Sequence, residues 1–221
     1  METQTTWQDG KTRCFWANPK NERYVRYHDE EWGRPVHDDQ KLFELLLLEC
    51  FQAGLSWECV LNKREGFRRA FADFDLDGVC AFKEADIERL VKDPEIIRHR
   101  RKIEAAVNNA RIFREIEQEY GNFSDYLWHW TDGKIIYDPV STTSPLSDNV
   151  SKDLKKRGMK FVGSTTIQSY LQSVGIINAH QPDCYLYKTH GFGIAKGKLT
   201  VDDDAFDAMD AEIAKMFGET Q

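Results

Sequence analysis

The chain has 221 residues, a formal net charge of −7 and five cysteines, and it opens on the polar stretch METQTTWQDG. That length suits one domain, or one domain with a lobe or tail, and can bury a sizeable core; the charge argues against a general polyanion binder without excluding a local basic face. No export signal and no apolar run of about 18 residues is visible, so a membrane span and secretion are disfavoured, and the thiols are expected in a reducing cytoplasm as buried side chains or metal ligands.

Residues 1–11 read as a disordered leader. From Cys14 to Trp32 the chain gathers Phe15, Trp16, Tyr24, Tyr27, His28 and Trp32. Aromatics at that density either pack a core or stack flat ligands, and the Arg, Glu and Asp residues among them argue for a partly open surface. Past Gly33 and Pro35, an Asp within His37-Asp38-Asp39 is expected to cap a helix. Its first half is apolar on nearly every face, from Leu42 through Phe51, so it belongs inside the domain. Glu49 then sits where burial should claim it, at a cost unless it is paired or hydrogen-bonded. Gln52, Gly54, Ser56 and Trp57 close the same stretch. One acid, one amide and one large ring near the end of a core helix read as the wall of a binding pocket.

Short helices are expected at Trp57–Asn62, Phe67–Phe71 and Ala85–Val91, with a turn at Phe74–Gly78 and a break at Pro94. A long helix follows from about His99 to Glu119, with Ile103, Ala106, Val107, Ala110 and Phe113 as its apolar stripe and Gly121 as C-cap. It opens with Arg98, His99, Arg100, Arg101 and Lys102. Cations at a helix N-terminus are locally unfavourable, a cost that a docked phosphate would offset; the alternative is a solvated basic turn.

Residues 122–146 read as a loop with a few extended residues at Ile135–Tyr137. A helix over Ser147–Arg157 ends at Gly158, with Lys152, Lys155, Lys156, Arg157 and Lys160 near its end. The helix dipole alone accommodates these cations, and a phosphate-facing patch is the sharper alternative. Ser164 is expected to cap a further helix that buries Ile167, Tyr170, Leu171 and Val174 and closes at Gly175. His180 and Cys184 follow, four apart, with Cys14 and His28 as a distant second pair. Two Cys and two His suit a closed tetrahedral zinc site. By spacing alone His37, His190 and Cys50 remain alternatives, as do two buried thiols with two surface imidazoles. After residue 190 the chain becomes acidic. Phe206, Met209, Ile213 and Met216 or Phe217 form the apolar stripe of one amphipathic helix within 191–221.

In order along the chain, RCFW, YHDEEWG, KLFELLLLECFQAGLSWECVL, IIRHRRKI, LKKRGMKFVGSTTI and a final HxxxC resemble the bacterial 3-methyladenine DNA glycosylase I family, from about Arg13 to Cys184. The resemblance implies an all-α fold of the helix-hairpin-helix glycosylase kind. Within a domain over 12–190 it implies a core at about 38–145 and a lobe from 12–37 and 146–190. A structural Zn2+ on Cys14, His28, His180 and Cys184 would clip that lobe. It places Glu49, Tyr27, Trp16 and Trp57 in a base pocket, with Glu49 as the catalytic-site acid and Tyr24 and Gln52 beside it. Double-stranded DNA with alkylated bases becomes the expected partner, held by backbone amides and by Arg98, Arg100, Arg101, Lys155, Lys156 and Lys160. The expected reaction flips the base out and hydrolyses its glycosidic bond, in a monomer working in the cytoplasm. Because no catalytic aspartate is apparent after the hairpin, a non-enzymatic sensor of alkylated bases is a second reading. A zinc-stabilised helical interaction module acting through the acidic tail is a third.

Overall fold

Burial on every side of one helix sets the architecture. In the computed structural model, which describes residues 7 and 9–187, helix α2 (Asp39–Gln52) runs through the middle, and every residue from Leu42 to Phe51 is buried. Asp38 caps it by accepting from the Lys41 amide at 2.8 Å. Around it pack α3 (Trp57–Asn62), α7 (Arg100–Tyr120), α8 (Phe123–Trp128) and α10 (Ser164–Ser173). Phe43 meets Phe113 edge-on at 5.4 Å, and Phe113 stacks on Phe123 at 3.7 Å. Tyr170 reaches across from α10 to donate its hydroxyl to the Leu42 carbonyl at 3.1 Å.

The remaining helices among the described residues are α1 (Glu22–Glu30), α4 (Arg64–Ala70), α5 (Leu76–Cys80), α6 (Glu84–Lys92) and α9 (Pro145–Lys156). None of the described helices is long and apolar enough to cross a membrane. The fold is mostly helical, as expected, with one small exception: Ile136–Tyr137 pairs in parallel with Ile177–Asn178.

Two local features position the site. After α2 the chain turns through Gly54, at φ +80°, and Ser56 caps α3 by accepting from the Cys59 amide at 3.2 Å. This turn brings Trp57 back beside the end of α2. Helices α6 and α7 form a hairpin joined by residues 93–99, with His99 as the N-cap of α7. The hairpin turn lies hard against α4, where a Cβ on Gly66 would come within 2.2 Å of the Glu95 carbonyl oxygen.

Several expectations are corrected. Asn21 caps α1, a helix the charged sequence hides. The expected turn at Phe74–Gly78 is the start of α5, capped by Asp75, which accepts from the Gly78 amide at 2.7 Å. The expected loop over 122–146 begins with α8, capped by Asn122. Ser164 is the first residue of α10 and Gly163 its N-cap, while α9 starts at Pro145 behind the Ser144 cap. Of the expected leader, Trp7 and Asp9 contact Arg13 and Lys11 lies over the Tyr185 ring, and residues 1–6 and 8 lie outside the described residues. So does the acidic helix expected within 191–221.

Candidate active site

Three helices each contribute two side chains at a spacing of three, so that both face the same way. Tyr24 and Tyr27 come from α1, Glu49 and Gln52 from α2, Ser169 and Gln172 from α10. With Trp16, Trp32 and Trp57 they line one cavity of about 410 Å³ including its mouth, a size that suits a small flat ligand. Its walls are aromatic. Trp16 lies 4.8 Å from Trp32 and 5.2 Å from Tyr24, and Tyr27 lies 5.2 Å from Trp57.

Three polar atoms of this wall are buried without a hydrogen-bond partner: Glu49 Oε2, Tyr27 Oη and Trp57 Nε1. Trp130 Nε1 and Asn178 Nδ2 share that condition but do not line the cavity. Each such atom costs about 1–3 kcal/mol in a folded protein, so three converging on one space are the mark of a site that awaits a polar partner. Glu49 is 4% exposed, and burial pushes its carboxyl up to about 8. Burial and the neighbouring Glu49 carboxyl together push the Tyr27 phenol well above its ordinary value.

Behind the aromatic wall lies a second cluster. Cys14, His28, His180 and Cys184 are all buried, and their ligand atoms fall within 4.8 Å of one another. His180 Nδ1 stands 3.5 Å from both Sγ atoms, and His28 Nε2 stands 3.5 Å from Cys184 Sγ. Ordinary Zn–S and Zn–N bond lengths in a tetrahedron give an S···N edge of about 3.5 Å, which these three contacts match, so the group could hold a metal ion. The outer nitrogens are oriented as metal-bound imidazoles require. His28 Nδ1 faces Asp29 Oδ1 at 2.8 Å, and His180 Nε2 faces the Trp32 carbonyl at 3.3 Å. Arg13 grips the same Asp29 carboxylate at 2.7 and 2.8 Å. The cluster touches the cavity wall directly, since Trp16 packs on His28 at 5.1 Å and Trp32 on His180 at 4.7 Å.

The basic residues separate into two kinds. Arg98, Arg101, Lys155, Lys156 and Lys160 are exposed and form no ion pair among the described residues. Arg100 instead holds Glu84 at 3.0 Å, Glu104 at 3.6 Å and Glu88, which leaves little charge for a phosphate. Lys160 stands on a loop clamped to α7: the Asn109 side chain accepts from the Lys160 amide at 2.8 Å and donates to its carbonyl at 2.8 Å.

Trp16, Tyr24, Tyr27, Glu49, Gln52 and Trp57, the pocket residues expected from the sequence, all line this one cavity. In the sequence Trp32 reads only as part of an aromatic run, and Ser169 and Gln172 are not expected in the pocket. Their sole signal was a polar face on α10 at the same spacing as Glu49 and Gln52.

Residues 16–187 match the profile of a family described as methyladenine glycosylase. DNA-3-methyladenine glycosylase 1 of Escherichia coli strain K12 is 44% identical over 181 residues, covering 79% of this chain and 96% of its own length. The crystal structure of a 3-methyladenine DNA glycosylase I superposes with a TM-score of 0.76 at 43% identity, over 79% of this chain and 99% of the other. A variant of 3-methyladenine DNA glycosylase I solved in complex with 3-methyladenine superposes with a TM-score of 0.75 at 40% identity, over 78% of this chain and 96% of the other.

Proposed function

The chain belongs to the methyladenine glycosylase family, and from that premise we propose that it hydrolyses the N-glycosidic bond of 3-methyladenine in alkylated double-stranded DNA, leaving an abasic site. The observation that carries this reading is the aromatic cavity with three unpartnered buried polar atoms, Glu49 Oε2 foremost.

A base inside a duplex is out of reach, so the nucleotide must swing into a pocket. Methylation at N3 gives the adenine ring a positive charge. Such a ring is drawn to indole and phenol faces, here Trp16, Tyr24, Tyr27 and Trp57, more strongly than a neutral one. Raised to about 8, the Glu49 carboxyl is mostly protonated in the empty cavity at neutral pH. A cation entering beside it favours the carboxylate, which accepts from the adenine edge. Tyr27 Oη, Trp57 Nε1 and the Gln52 amide supply further polar contacts. When the glycosidic bond breaks, its electron pair passes to the ring and cancels the charge, water adds to the sugar carbon, and a proton goes to solvent. The base leaves neutral, so no acid has to protonate it. Glu49 therefore acts in recognition and electrostatics of the reacting base.

The α6–α7 hairpin, the end of α9 and the 158–160 loop form the DNA-holding face, through backbone amides and Arg98, Arg101, Lys155, Lys156 and Lys160. Contacts of this kind hold phosphates without reading sequence. Arg100, engaged by three carboxylates, drops out of this set. Zn2+ on Cys14, His28, His180 and Cys184 would supply a closed structural clip joining the 12–37 and 146–190 parts of the lobe to each other and bracing Trp16 and Trp32. One chain supplies the lining of the cavity, and the proposal is completed by a monomer working in the cytoplasm.

The test is incubation with methylated duplex DNA and chromatography of the bases released. Free 3-methyladenine should appear, and Glu49→Gln should slow its release roughly 10- to 100-fold, the worth of one charged hydrogen bond. Tight binding of methylated DNA with no free base would overturn the reading in favour of a sensor.

A further inference from the structure

The head of α7 is basic, yet its Lys102 does not face outward with Arg98 and Arg101. Lys102 is 7% exposed, and its Nζ donates to the carbonyls of Phe51 at 2.8 Å and Ala53 at 2.6 Å. Those carbonyls end α2, a helix with no basic residue in its own last turn. Free carbonyls at a helix C-terminus carry partial negative charge and need donors. The N-terminal turn of α7 carries no acid that would favour the lysine there. Lys102 is therefore held at the unfavourable end of its own helix by the favourable end of another.

A third segment meets the same point. The ring of Phe161 lies with its centroid 5.8 Å from Lys102 Nζ and 6.4 Å from the His99 ring. Phe161 has φ +57°, a left-handed conformation that is an outlier for a bulky side chain and persists only where its surroundings hold it. Asn109 on α7 and Ser151 on α9 do so: Asn109 pins Lys160, and the Ser151 hydroxyl donates to the Val162 carbonyl at 2.7 Å.

We propose that Lys102 is a positioning residue for base excision: it fixes the turn over residues 53–56, and with it Trp57 against Glu49, to the hairpin and loop that grip DNA. This rests on the proposed function. Glu49 lies just before the clamped carbonyls of Phe51 and Ala53, Gln52 between them and Trp57 just after them. Displacements of about 1 Å in such a shell are enough to cost a hundredfold in rate.

Lys102→Met and Lys102→Arg test this. Base release is measured in single turnover at saturating enzyme, and tryptophan fluorescence is titrated with free 3-methyladenine in the absence of DNA. Lys102→Met should lower both the rate and the free-base affinity by about tenfold or more while its affinity for undamaged DNA stays within about twofold, because the ammonium orders the pocket and touches no phosphate. Lys102→Arg, which keeps charge and two donors, should restore most of both. Wild-type free-base affinity in Lys102→Met would overturn the proposal, as would loss confined to DNA affinity, or an arginine variant no better than methionine. Should Lys102→Met fail to fold, Lys102→Gln carries the same test with one amide donor group: intermediate losses of both quantities support the clamp, and an unaltered free-base affinity overturns it. Wild-type protein that releases no 3-methyladenine would sink the proposed function itself, whereas release with an unaffected Lys102→Met sinks only this inference.

Discussion

Two glutamates of α2 are equally buried, at 4% exposure, and meet opposite fates. Glu44 is held by Arg64 Nε at 2.8 Å, Arg68 Nη2 at 3.0 Å and Lys41 Nζ at 3.1 Å. Burial works against its charge, but the bonds and charges of Arg64 and Lys41 prevail and hold the carboxyl below its ordinary value. Glu31 joins the same network, taking Arg64 at 2.9 and 2.8 Å, so the cluster ties α2 to α4 and to the end of α1. Glu49, five residues on and about 140° around the helix, faces no cation and rises to about 8. Both line openings in the surface, Glu44 a cleft with Asp38, Gln40 and Arg68. Burial and a nearby hollow are thus common to the two. The missing partner is what makes Glu49 the candidate site residue, whereas the partners of Glu44 suit a structural group.

The contrast breaks first under substitution. Glu44→Gln removes one of the two carboxylates that hold Arg64, with Glu31 remaining, and should cost roughly 1.5–3 kcal/mol in denaturant unfolding. Excision per folded molecule should stay near wild type. Glu49→Gln should do the reverse, losing excision with no loss of stability. Equal destabilisation by both would erase the distinction.

Changing pH sharpens it. Glu49 has a folded value near 8, above its ordinary 4.5, so its contribution favours the fold at low pH and is lost as pH rises from about 4.5 through 8. At pH 7 the cost is about 3 kcal/mol, which Glu49→Gln should recover, with no gain below pH 4. Glu44, held below its ordinary value, contributes stability above that value and loses it as pH falls through the lowered one. The difference between wild type and Glu44→Gln should therefore shrink in acid. Unfolding curves of the three proteins from pH 4 to pH 9 check both signs.

A third acid, Asp29, is partnered through a possible metal ligand. It accepts from His28 and Arg13, so Asp29→Asn should weaken zinc binding about 10- to 100-fold in competition with a chelator. Tryptophan fluorescence should change with zinc occupancy, because Trp16 and Trp32 pack on the two histidines. Unchanged zinc affinity would mean that Asp29 serves Arg13 alone. The smallest effect is at the surface. Lys160→Ala, removing an unpaired charge, should reduce the salt dependence of DNA binding by about one counterion, whereas Arg100→Ala should leave it in place.

Much of this was legible in the sequence, for identifiable reasons. An all-round apolar run announced α2, and its Asp cap, the Gly121 cap and the bounds Trp57–Asn62 follow from local chemistry. Glu49, Gln52 and Trp57 were readable as a pocket wall because they share one stretch. Residue type suggests the Cys/His set, but only the family resemblance selects it over His37, His190 and Cys50, since its halves lie more than 150 residues apart in the chain. Helix α1 was hidden by its polarity: Tyr24, Val25, Tyr27 and His28 recur at helical spacing, but six of its nine residues are charged or His and only Tyr27 and His28 are buried. Helix α8 has six residues, fewer than two turns. The pairing of Glu44 with Arg64, and of Lys102 with the end of α2, joins positions far apart in sequence. Local pattern could not distinguish Lys102 from Arg101, nor show that Glu44 has cationic partners where Glu49 has none.

The most direct measurement is a carbon-13 NMR titration of the Glu49 side-chain carboxyl, free and with 3-methyladenine added. A carboxyl that titrates near 8 in the free protein, and lower once the amino edge of the bound base donates to it, is the predicted result. A carboxyl that titrates near the ordinary 4.5, unmoved by the base, would contradict the assignment.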